Sequence, residues 1–310
     1  MKTLQRPLIV DTDPGHDDVM AILLAVKSQR FDIQALTTVA GNSTIENVTK
    51  NAAYTLDLLQ RRDIPIYSGA EKPLKRKLVQ AVVHGISGLA GADTSKTVIV
   101  RTNDAAKQIQ QIVRQHKKKI TILALGPLTN IAKAFQNDPA LPSLIQEIVI
   151  MGGAIDVPGN KNRVAEFNMF VDPEAADIVF KTNVKKTLIP IDVCSKTILL
   201  LSDFQKLQGT SFYSPIMSMM KHFIQGLTED EGVQGALVYD AVAAYYLLNP
   251  KAFTLVPMDI VIETKGEHTF GMTVAEKRAH KKMEYNTLVA MDVDKKAFVK
   301  DFLAILQKQI

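Results

Sequence analysis

Short, almost continuously apolar runs recur through the first part of the chain. They lie at residues 7–11, 33–40, 120–125, 147–153 and 186–192. Gly, Asp or Asn bounds these runs, which is typical of parallel strands that helices cover on both faces. We therefore predict five buried strands that belong to one mostly parallel sheet.

Helical patterns separate these runs. Residues 126–137 place apolar side chains at helical spacing behind Pro127. In residues 172–182, Asp172 is positioned to cap a helix whose first residue is Pro173. The alternation of strands and helices predicts an α/β fold with a mostly parallel, doubly wound sheet flanked by helices.

The last third of the chain has a different pattern. A helix-rich stretch covers about residues 202–250, and an extended apolar stretch follows at residues 252–263. Residues 295–309 form an amphipathic pattern that predicts a closing helix. Because no Pro-, Gly- or Ser-rich linker and no repeat divides the sequence, we predict a single domain over residues 1–310.

Composition and charge narrow the class of protein. Hydrophobic residues make up 46% and charged residues 22% of the 310 positions, as in a globular protein. The net charge of +5 comes from scattered basic residues without interleaved aromatics, so we expect no nucleic-acid partner. Without a signal peptide or a run of spanning length, we expect no membrane partner. The single Cys194 favours a reducing compartment, and we expect a cytoplasmic protein.

Four aspartates crowd the point where the first predicted strand gives way to a helix. They are Asp11, Asp13, Asp17 and Asp18, in the sequence DTDPGHDD. Like charges this close repel, and a carboxylate is costly to bury without a partner. A hard cation such as Ca²⁺, which takes about six to eight oxygen ligands, would turn that repulsion into attraction. The competing explanation is structural, because helix dipoles favour acidic first turns and DPG is a common turn sequence.

Polar side chains follow other predicted strands as well. Asn42 follows the second strand, and Asn160, Glu166 and Asn168 follow the run at residues 147–153. Ligands of open α/β sheets bind beyond the carboxyl ends of the strands, so we expect the active site there. Carboxylates and amides hold a polyol by hydrogen bonds and a hard cation by oxygen ligands.

The motifs of the chain resemble those of the inosine–uridine preferring nucleoside hydrolase family. They are DTDPGHDD (11–18), TTVAGN (37–42), HGISG (84–88), GPLTNIA (126–132), IMGG (150–153), AEFN (165–168) with DPEAA (172–176), and YDAVA (239–243). Each motif alone is modestly specific. Together they occur in the same order as in the family, and the resemblance extends over nearly the whole chain. The resemblance implies hydrolysis of ribonucleosides to ribose and free base, Ca²⁺ as cofactor, and a homodimer or homotetramer.

The resemblance also implies a role for individual residues around the metal. Ca²⁺ would be held by the carboxylates of Asp13, Asp18 and Asp240 and by the backbone carbonyl of Leu125. Asp13 would also accept the proton of the metal-bound water. Asp11 would support the loop from behind.

Six polar side chains are expected by resemblance around the ribose. The 2′ and 3′ hydroxyls would be held by Asp17, Asn168 and Asp240, and the 5′ hydroxyl by Asn160 and Glu166, with Asn42 near both the metal and the ribose. Glycosidic bond cleavage places positive charge on the sugar, which fixed carboxylates stabilise. A deoxyribose would leave buried acceptors unpaired, so we predict a strong preference for ribose.

The base side of the site departs from the family pattern. Many members have His immediately before the last metal-binding Asp, where this chain has Tyr239. An unperturbed tyrosine, with a pKa of about 10, is protonated at neutral pH and can donate to the leaving base. Stacking on the base, or packing alone, are the other roles open to Tyr239.

Four further side chains are candidates near the site or its surroundings. His84 matches a family loop that approaches the base, which makes it a candidate catalytic residue as well as a structural one. Phe167 either lines the base side of the pocket or packs in the core. His222 is predicted to lie on a surface helix, and His16 is predicted to be a loop residue.

Two other functions stay open at this point. Because Tyr239 replaces the common acid, the chain could be a nucleoside- or ribose-binding homologue with little turnover. An apolar strand that ends in Asp-x-Asp also introduces the haloacid-dehalogenase-like phosphatases, with Asp11 as nucleophile and Mg²⁺ as metal. Against that alternative, Asp13 is followed by Pro-Gly, and no later Lys and paired-Asp motif is evident.

Overall fold

A computed structural model describes residues 5–98, 102–278 and 285–308, which contain eleven strands and eleven α-helices. The strands are β1 (Arg6–Thr12), β2 (Phe31–Thr38), β3 (Ile66–Ser68), β4 (Thr102–Asn103), β5 (Thr121–Ala124), β6 (Glu147–Met151), β7 (Lys186–Ile189), β8 (Phe253–Met258), β9 (Ile260–Ile262), β10 (Thr273–Ala275) and β11 (Thr287–Val293). The helices are α1 (His16–Lys27), α2 (Ile45–Leu58), α3 (Ala105–His116), α4 (Thr129–Asn137), α5 (Phe167–Val171), α6 (Pro173–Phe180), α7 (Ile191–Cys194), α8 (Leu201–Gln205), α9 (Tyr213–Glu231), α10 (Tyr239–Leu248) and α11 (Lys295–Leu306).

Nine of these strands form one sheet, in the order β4-β3-β2-β1-β5-β6-β7-β11-β8. Neighbouring strands from β4 to β11 pair in parallel, and β8 joins the far edge antiparallel to β11. Strands β9 and β10 form a separate antiparallel pair. The prediction of a mostly parallel α/β sheet is confirmed.

The chain order places a crevice beside the first strand. From β1 the chain runs outward through β2, β3 and β4, and it then returns to the opposite side of β1 as β5. Such a reversal of strand order is where open α/β sheets bind their ligands. Asp11 pairs with Ala124 in register, and the amide of Leu125 donates to the carbonyl of Asp11 at 2.8 Å. The segments that leave β1 and β5 therefore open into the same crevice.

All five predicted strands are present, and three of them end two or three residues earlier than predicted. The run at residues 33–40 leaves the sheet after Thr38, the run at 147–153 after Met151, and the run at 186–192 after Ile189. The remaining residues of each run continue into a loop or the first turn of a helix beyond the carboxyl edge of the sheet. The apolar pattern alone did not predict β3, β4 or β11, two of which have three residues or fewer.

The two helices with predicted caps are present. Helix α4 begins at Thr129, inside the predicted range, and α6 begins at Pro173. The Asp172 carboxylate caps α6 by accepting from the amide of Ala175 at 3.0 Å. Among the helices of the described ranges, none combines the length and the apolar character that crossing a membrane requires.

Helix α1 is buried along its whole length, including its polar first turn. The helix follows directly on the buried strand β1, and Asp18 accepts from the amide of Gly15 at 2.9 Å, which satisfies a donor at the helix N-terminus. Helix α10, which is also buried along almost its whole length, packs against α1. The fold therefore holds the acidic first turns of two helices away from solvent.

We predict that Asp172→Ala lowers the free energy of unfolding by about 3 kcal/mol, because a buried carboxylate with several donors is lost. Besides Ala175, Asp172 accepts from Thr129 Oγ1 at 2.7 Å and from the amide of Leu74 at 2.9 Å. The matched control is Asp294→Ala, where an exposed cap accepts from the Ala297 amide at 3.0 Å. That variant should lose about 1 kcal/mol in urea unfolding. Equal losses for both variants would contradict the assigned role of Asp172.

Candidate active site

Three carboxylates converge at the crevice between β1 and β5. Asp17 and Asp18 lie in the first turn of α1, and Asp240 lies in the first turn of α10. Each offers an oxygen, and these atoms lie within 4.8 Å of one another. The packing of α1 against α10 thus brings together residues far apart in sequence.

Asp13 lies beside this group, in the loop that follows β1. Its Oδ2 accepts from the amide of Asn42 at 2.7 Å, and its Oδ1 is buried without a hydrogen-bond partner in the described part of the chain. The loops after β2 and β5 enclose the carboxylate closely. A Cβ on Gly41 would lie 2.1 Å from Asp13 Oδ2, and a Cβ on Gly126 would lie 2.5 Å from Asp13 Oδ1. Only glycine fits at these two positions.

Hydrogen bonds of Asp18 and Asn42 connect the loop after β1 to the loop after β2. The Asp18 carboxylate accepts from Thr12 Oγ1, from the amides of Asp13 (3.3 Å) and Gly15 (2.9 Å), and from Asn42 Nδ2 (3.2 Å). Asn42 Nδ2 also donates to the carbonyl of Asp13 at 3.1 Å. These bonds fix Asp18 in one orientation, and they place Asn42 against the acidic cluster.

Burial dominates the electrostatics of the cluster. It raises the pKa of Asp13, Asp17, Asp18 and Asp240, and the neighbouring carboxylates raise the pKa of Asp13, Asp17 and Asp240 further. The Oδ1 atoms of Asp13 and Asp17 are both buried without a partner among the residues described. An all-oxygen donor set with unsatisfied anionic atoms fits a hard divalent cation.

The carboxylate behind the cluster is Asp11. Thr37 Oγ1 and Asn130 Nδ2 donate to its Oδ1 at 2.5 and 2.9 Å. Burial nonetheless raises the pKa of Asp11 to about 7. Asn130 also donates to the carbonyl of Thr38 at 2.9 Å, so Asp11 and Asn130 together tie the ends of β1 and β2 to α4.

The carbonyl of Leu125 forms part of the pocket floor. Asn168 Nδ2 donates to this oxygen at 2.6 Å and lies 3.3 Å from the carbonyl of Met151. The Asn168 side chain therefore bridges the ends of β5 and β6. The sequence predicted both Leu125 and Asn168 as site residues, and the structure places them in direct contact.

Glu166 and Asn160 organise the start of α5. The buried Glu166 carboxylate accepts from the amides of Asn168 and Gly153, both at 2.9 Å. Asn160 Oδ1 accepts from the amide of Phe167 at 2.9 Å. Burial raises the pKa of Glu166, whereas its amide donors lower it. Both predicted ribose ligands thus hold a helix N-terminus in place at the site.

A cavity of about 300 Å³ opens above the cluster, within the size range of small-molecule sites. Asp13 and Asp18 lie outside its lining, among the loops described above. The lining includes ten of the predicted site residues, namely Asp17, Asn42, His84, Leu125, Asn160, Glu166, Phe167, Asn168, Tyr239 and Asp240.

The structure adds lining residues that the sequence did not single out. From α9 they are Phe223, Leu227 and Asp230, which are spaced at i, i+4 and i+7 and so share one helix face. The resemblance placed this stretch in the region that covers the pocket, but the periodicity alone did not show which side chains face the cavity. Lys161 lines the cavity beside Phe167, and its Nζ lies 5.7 Å from the centre of the Phe167 ring.

The histidines divide between the site and the surface. His84 is buried in the cavity wall, with Nε2 3.9 Å from Asp17 Oδ1. His222 is exposed on α9, as predicted, with Nδ1 2.9 Å from the carbonyl of Ser218. The prediction that His16 is a loop residue is wrong. His16 is the first residue of α1, and its fully buried ring stacks on Phe223 because the first turn of α1 faces α9.

Comparison with known proteins places this chain in a family. The family model described as inosine-uridine preferring nucleoside hydrolase matches residues 8–300. The pyrimidine-specific ribonucleoside hydrolase RihA of Klebsiella pneumoniae (strain 342) is 38% identical over 303 residues, covering 96% of this chain and 97% of that protein. The protein of the same description from Shewanella woodyi is 39% identical over 306 residues, covering 97% of each.

Solved structures give the same result. A plant nucleoside hydrolase superposes with a TM-score of 0.90 at 29% identity, covering 99% of this chain and 100% of that one. A purine-preferring ribonucleoside hydrolase from Gardnerella vaginalis superposes with a TM-score of 0.89 at 26% identity, covering 97% of this chain and 98% of that one. The chain belongs to the inosine–uridine preferring nucleoside hydrolase family and is a ribonucleoside hydrolase, an enzyme that cleaves N-glycosidic bonds. The phosphatase alternative is therefore wrong.

We predict that the metal-free protein becomes less stable as pH rises from 5 to 8. Burial raises the pKa of Asp17, Asp18 and Asp240, so the folded state keeps protons that the unfolded state has lost. The unfolding free energy should fall by about 2 kcal/mol across this range in a chelator-treated sample. Saturating Ca²⁺ should restore it at pH 8.

The matched control for this prediction is Asp240→Asn, which removes one charge from the cluster. Its metal-free form should show a shallower pH dependence than the wild type, and Ca²⁺ should stabilise it little. Both proteins would be followed by urea unfolding with chelator and with Ca²⁺. An identical pH slope in the two proteins would contradict the assignment of the slope to the cluster.

Proposed function

We propose that this ribonucleoside hydrolase uses Ca²⁺ and a carboxylate-lined pocket to hydrolyse nucleosides through an oxocarbenium-like transition state. The observation that carries the proposal is the set of buried, mutually repelling carboxylates on the floor of a nucleoside-sized cavity. A merely structural cluster would be expected to satisfy its buried oxygens, yet Asp13 and Asp17 each keep an unpartnered Oδ1 within the described ranges.

The metal would be held by Asp13, Asp18, Asp240 and the backbone carbonyl of Leu125. Asp17 supplies a further oxygen close to those of Asp18 and Asp240. Ca²⁺, when bound, supplies a Lewis acid that makes water a better nucleophile and a positive charge that offsets the carboxylate repulsion. The choice of calcium over softer metals is supported by a donor set that contains only oxygen.

The ribose would be oriented by hydrogen bonds to its hydroxyls. Asp17, Asn168 and Asp240 would hold the 2′ and 3′ hydroxyls, with the unpartnered Asp17 Oδ1 as an available acceptor. Asn160 and Glu166 would hold the 5′ hydroxyl, and Asn42 would support the sugar side. A substrate without the 2′ hydroxyl leaves buried acceptors unpaired, which favours ribonucleosides over deoxyribonucleosides.

The reaction would need a general base on one side of the sugar, to accept a proton from water. It would also need a proton donor on the other side, for the departing nucleobase. Asp13 would accept a proton from the attacking water, a role supported by its raised pKa and unpartnered oxygen. Carboxylates around the ring would stabilise the positive charge that develops on the sugar. Tyr239, in the cavity wall beside Asp240, would donate a proton to the departing base.

Pyrimidine ribonucleosides are the proposed substrates. Curated relatives that are 38–39% identical to this chain over nearly its whole length are described as pyrimidine-specific, and this description supports the proposal. The base-side wall is largely apolar, with Phe223, Leu227 and Leu237 among its residues, and apolar walls favour planar bases without choosing between them.

The proposal is tested by ribose release from uridine, cytidine, inosine and adenosine, with and without a Ca²⁺ chelator. We expect chelator-sensitive release, fastest from the pyrimidine nucleosides, and little release from 2′-deoxyuridine. Tight nucleoside binding without release from any substrate would instead favour a binding homologue. Release that persists after complete metal removal would contradict the metal-dependent mechanism.

We predict that Tyr239→Phe lowers kcat on uridine about 100-fold, because general acid catalysis of base departure is lost. The same variant should keep its activity on p-nitrophenyl riboside within about threefold, since this leaving group needs little protonation. Tyr213→Phe, at the start of α9 and outside the cavity lining, is the matched control. Equal losses on both substrates would show that Tyr239 acts by packing or stacking.

A further inference from the structure

Two histidine rings lie against each other beneath the base side of the cavity. The Nδ1 atoms of His16 and His84 are 2.9 Å apart, and His16 Nε2 lies 2.9 Å from the carbonyl oxygen of Ala90. The Phe223 ring stacks on both, with centroid distances of 4.9 Å to His16 and 5.3 Å to His84. Both histidines are buried, so the stack and the hydrogen bonds hold their ring planes.

The proton positions follow from the partners of His16. A carbonyl oxygen only accepts, so His16 Nε2 must carry a hydrogen. A neutral imidazole has one N–H, which leaves His16 Nδ1 as an acceptor. Burial supports the neutral form, because the His16 ring is fully enclosed and a buried cation is costly. His84 Nδ1 must then carry the hydrogen that lies between the two rings.

One contact favours the opposite arrangement. The backbone amide of His16 lies 3.4 Å from His84 Nδ1 and would donate to it if that nitrogen were bare. His16 would then have to be a cation in a fully buried position, which is costly without a carboxylate partner. The 3.4 Å contact is also longer than the 2.9 Å contact between the rings, so the neutral arrangement is favoured.

The consequence concerns the cavity. With its hydrogen on Nδ1, neutral His84 turns a bare Nε2 toward Asp17 Oδ1, 3.9 Å away. Asp17 Oδ1 has no hydrogen-bond partner in the ranges that the structure describes. When Asp17 is ionised, these are two neighbouring acceptors without a hydrogen between them, and they form a subsite that a hydroxyl- or N–H-bearing ligand relieves.

We propose that His16 is a positioning residue that fixes His84 in its Nδ1–H tautomer, so that His84 Nε2 accepts a hydrogen bond from the bound ribonucleoside. The proposal rests on the proposed function in one respect, that the cavity holds a ribonucleoside. It assigns His84 to substrate binding, and it leaves proton donation to the base with Tyr239.

The first test reads the tautomers in the resting enzyme. Protein labelled with ¹⁵N-histidine would be studied by two-bond ¹H–¹⁵N correlation spectra at neutral pH, with Ca²⁺ present, and His84→Asn and His16→Asn would assign the signals. We expect a protonated Nδ1 and a bare Nε2 for His84, and a protonated Nε2 and a bare Nδ1 for His16. A His84 ring protonated at Nε2, or a doubly protonated His16, would overturn the proposal. Because no turnover is needed, this result is independent of the hydrolase assay.

The second test compares two amide variants of His16. In His16→Asn the amide oxygen can take the place of Nδ1 and accept from His84, whereas in His16→Gln the amide nitrogen takes the place of Nε2 and donates to Ala90. We expect His16→Gln to raise KM for uridine about tenfold with kcat nearly unchanged, as for the loss of one binding hydrogen bond. We expect His16→Asn to keep KM within about threefold of the wild type.

A double variant separates positioning from packing. Combined with His84→Phe, the two His16 variants should no longer differ from each other, because their effect passes through His84. Thermal unfolding of each variant checks that the fold is kept. A difference between His16→Asn and His16→Gln that persists without His84, or a loss confined to kcat, would contradict the positioning role.

Discussion

Four carboxylates are buried together at the site, and two of them, Asp13 and Asp17, keep an oxygen without a hydrogen-bond partner in the described ranges. Asp13, Asp17, Asp18 and Asp240 lie together where solvent cannot screen them, and burial raises the pKa of each. The fold compensates in part, since Asp17, Asp18 and Asp240 lie at helix N-termini, where the backbone dipole favours negative charge. We propose that a bound cation and the hydroxyls of a substrate supply the rest of the compensation, since Asp13 and Asp17 each keep an unpartnered oxygen in the described ranges.

The surrounding structure prevents these carboxylates from rotating toward solvent or pairing with a lysine. Glycines at 41 and 126 let two loops close on Asp13, and the Asp18 carboxylate accepts from donors in two loops. The topological switch between β1 and β5 brings these loops to one edge. The part of the pocket near the carboxylates is therefore polar, whereas the wall around α9 is largely apolar.

The sequence predicted the placement of the carboxylates better than that of the cavity wall around α9, for a physical reason. Buried strands and the carboxylates that follow them are local patterns, so β1 and Asp17 were placed correctly from the sequence. The base side depends on how α9 packs across the sheet edge, which no local pattern encodes. Phe223 was therefore missed, and His16 was misassigned to a loop although its ring completes the stack with His84. Tyr239 was found because it departs from a motif, but its role depends on a substrate.

Equilibrium dialysis against Ca²⁺, followed by measurement of bound metal, tests whether the buried carboxylates hold a cation. We predict one Ca²⁺ per chain in the wild type, none in Asp18→Asn, and one in Asp192→Asn, where a buried aspartate outside the cluster holds the amides of Ile155 and Asp156. A wild-type enzyme that hydrolyses ribonucleosides without bound metal would contradict the proposed role of the cluster. So would an Asp18→Asn variant that retains a full equivalent of Ca²⁺.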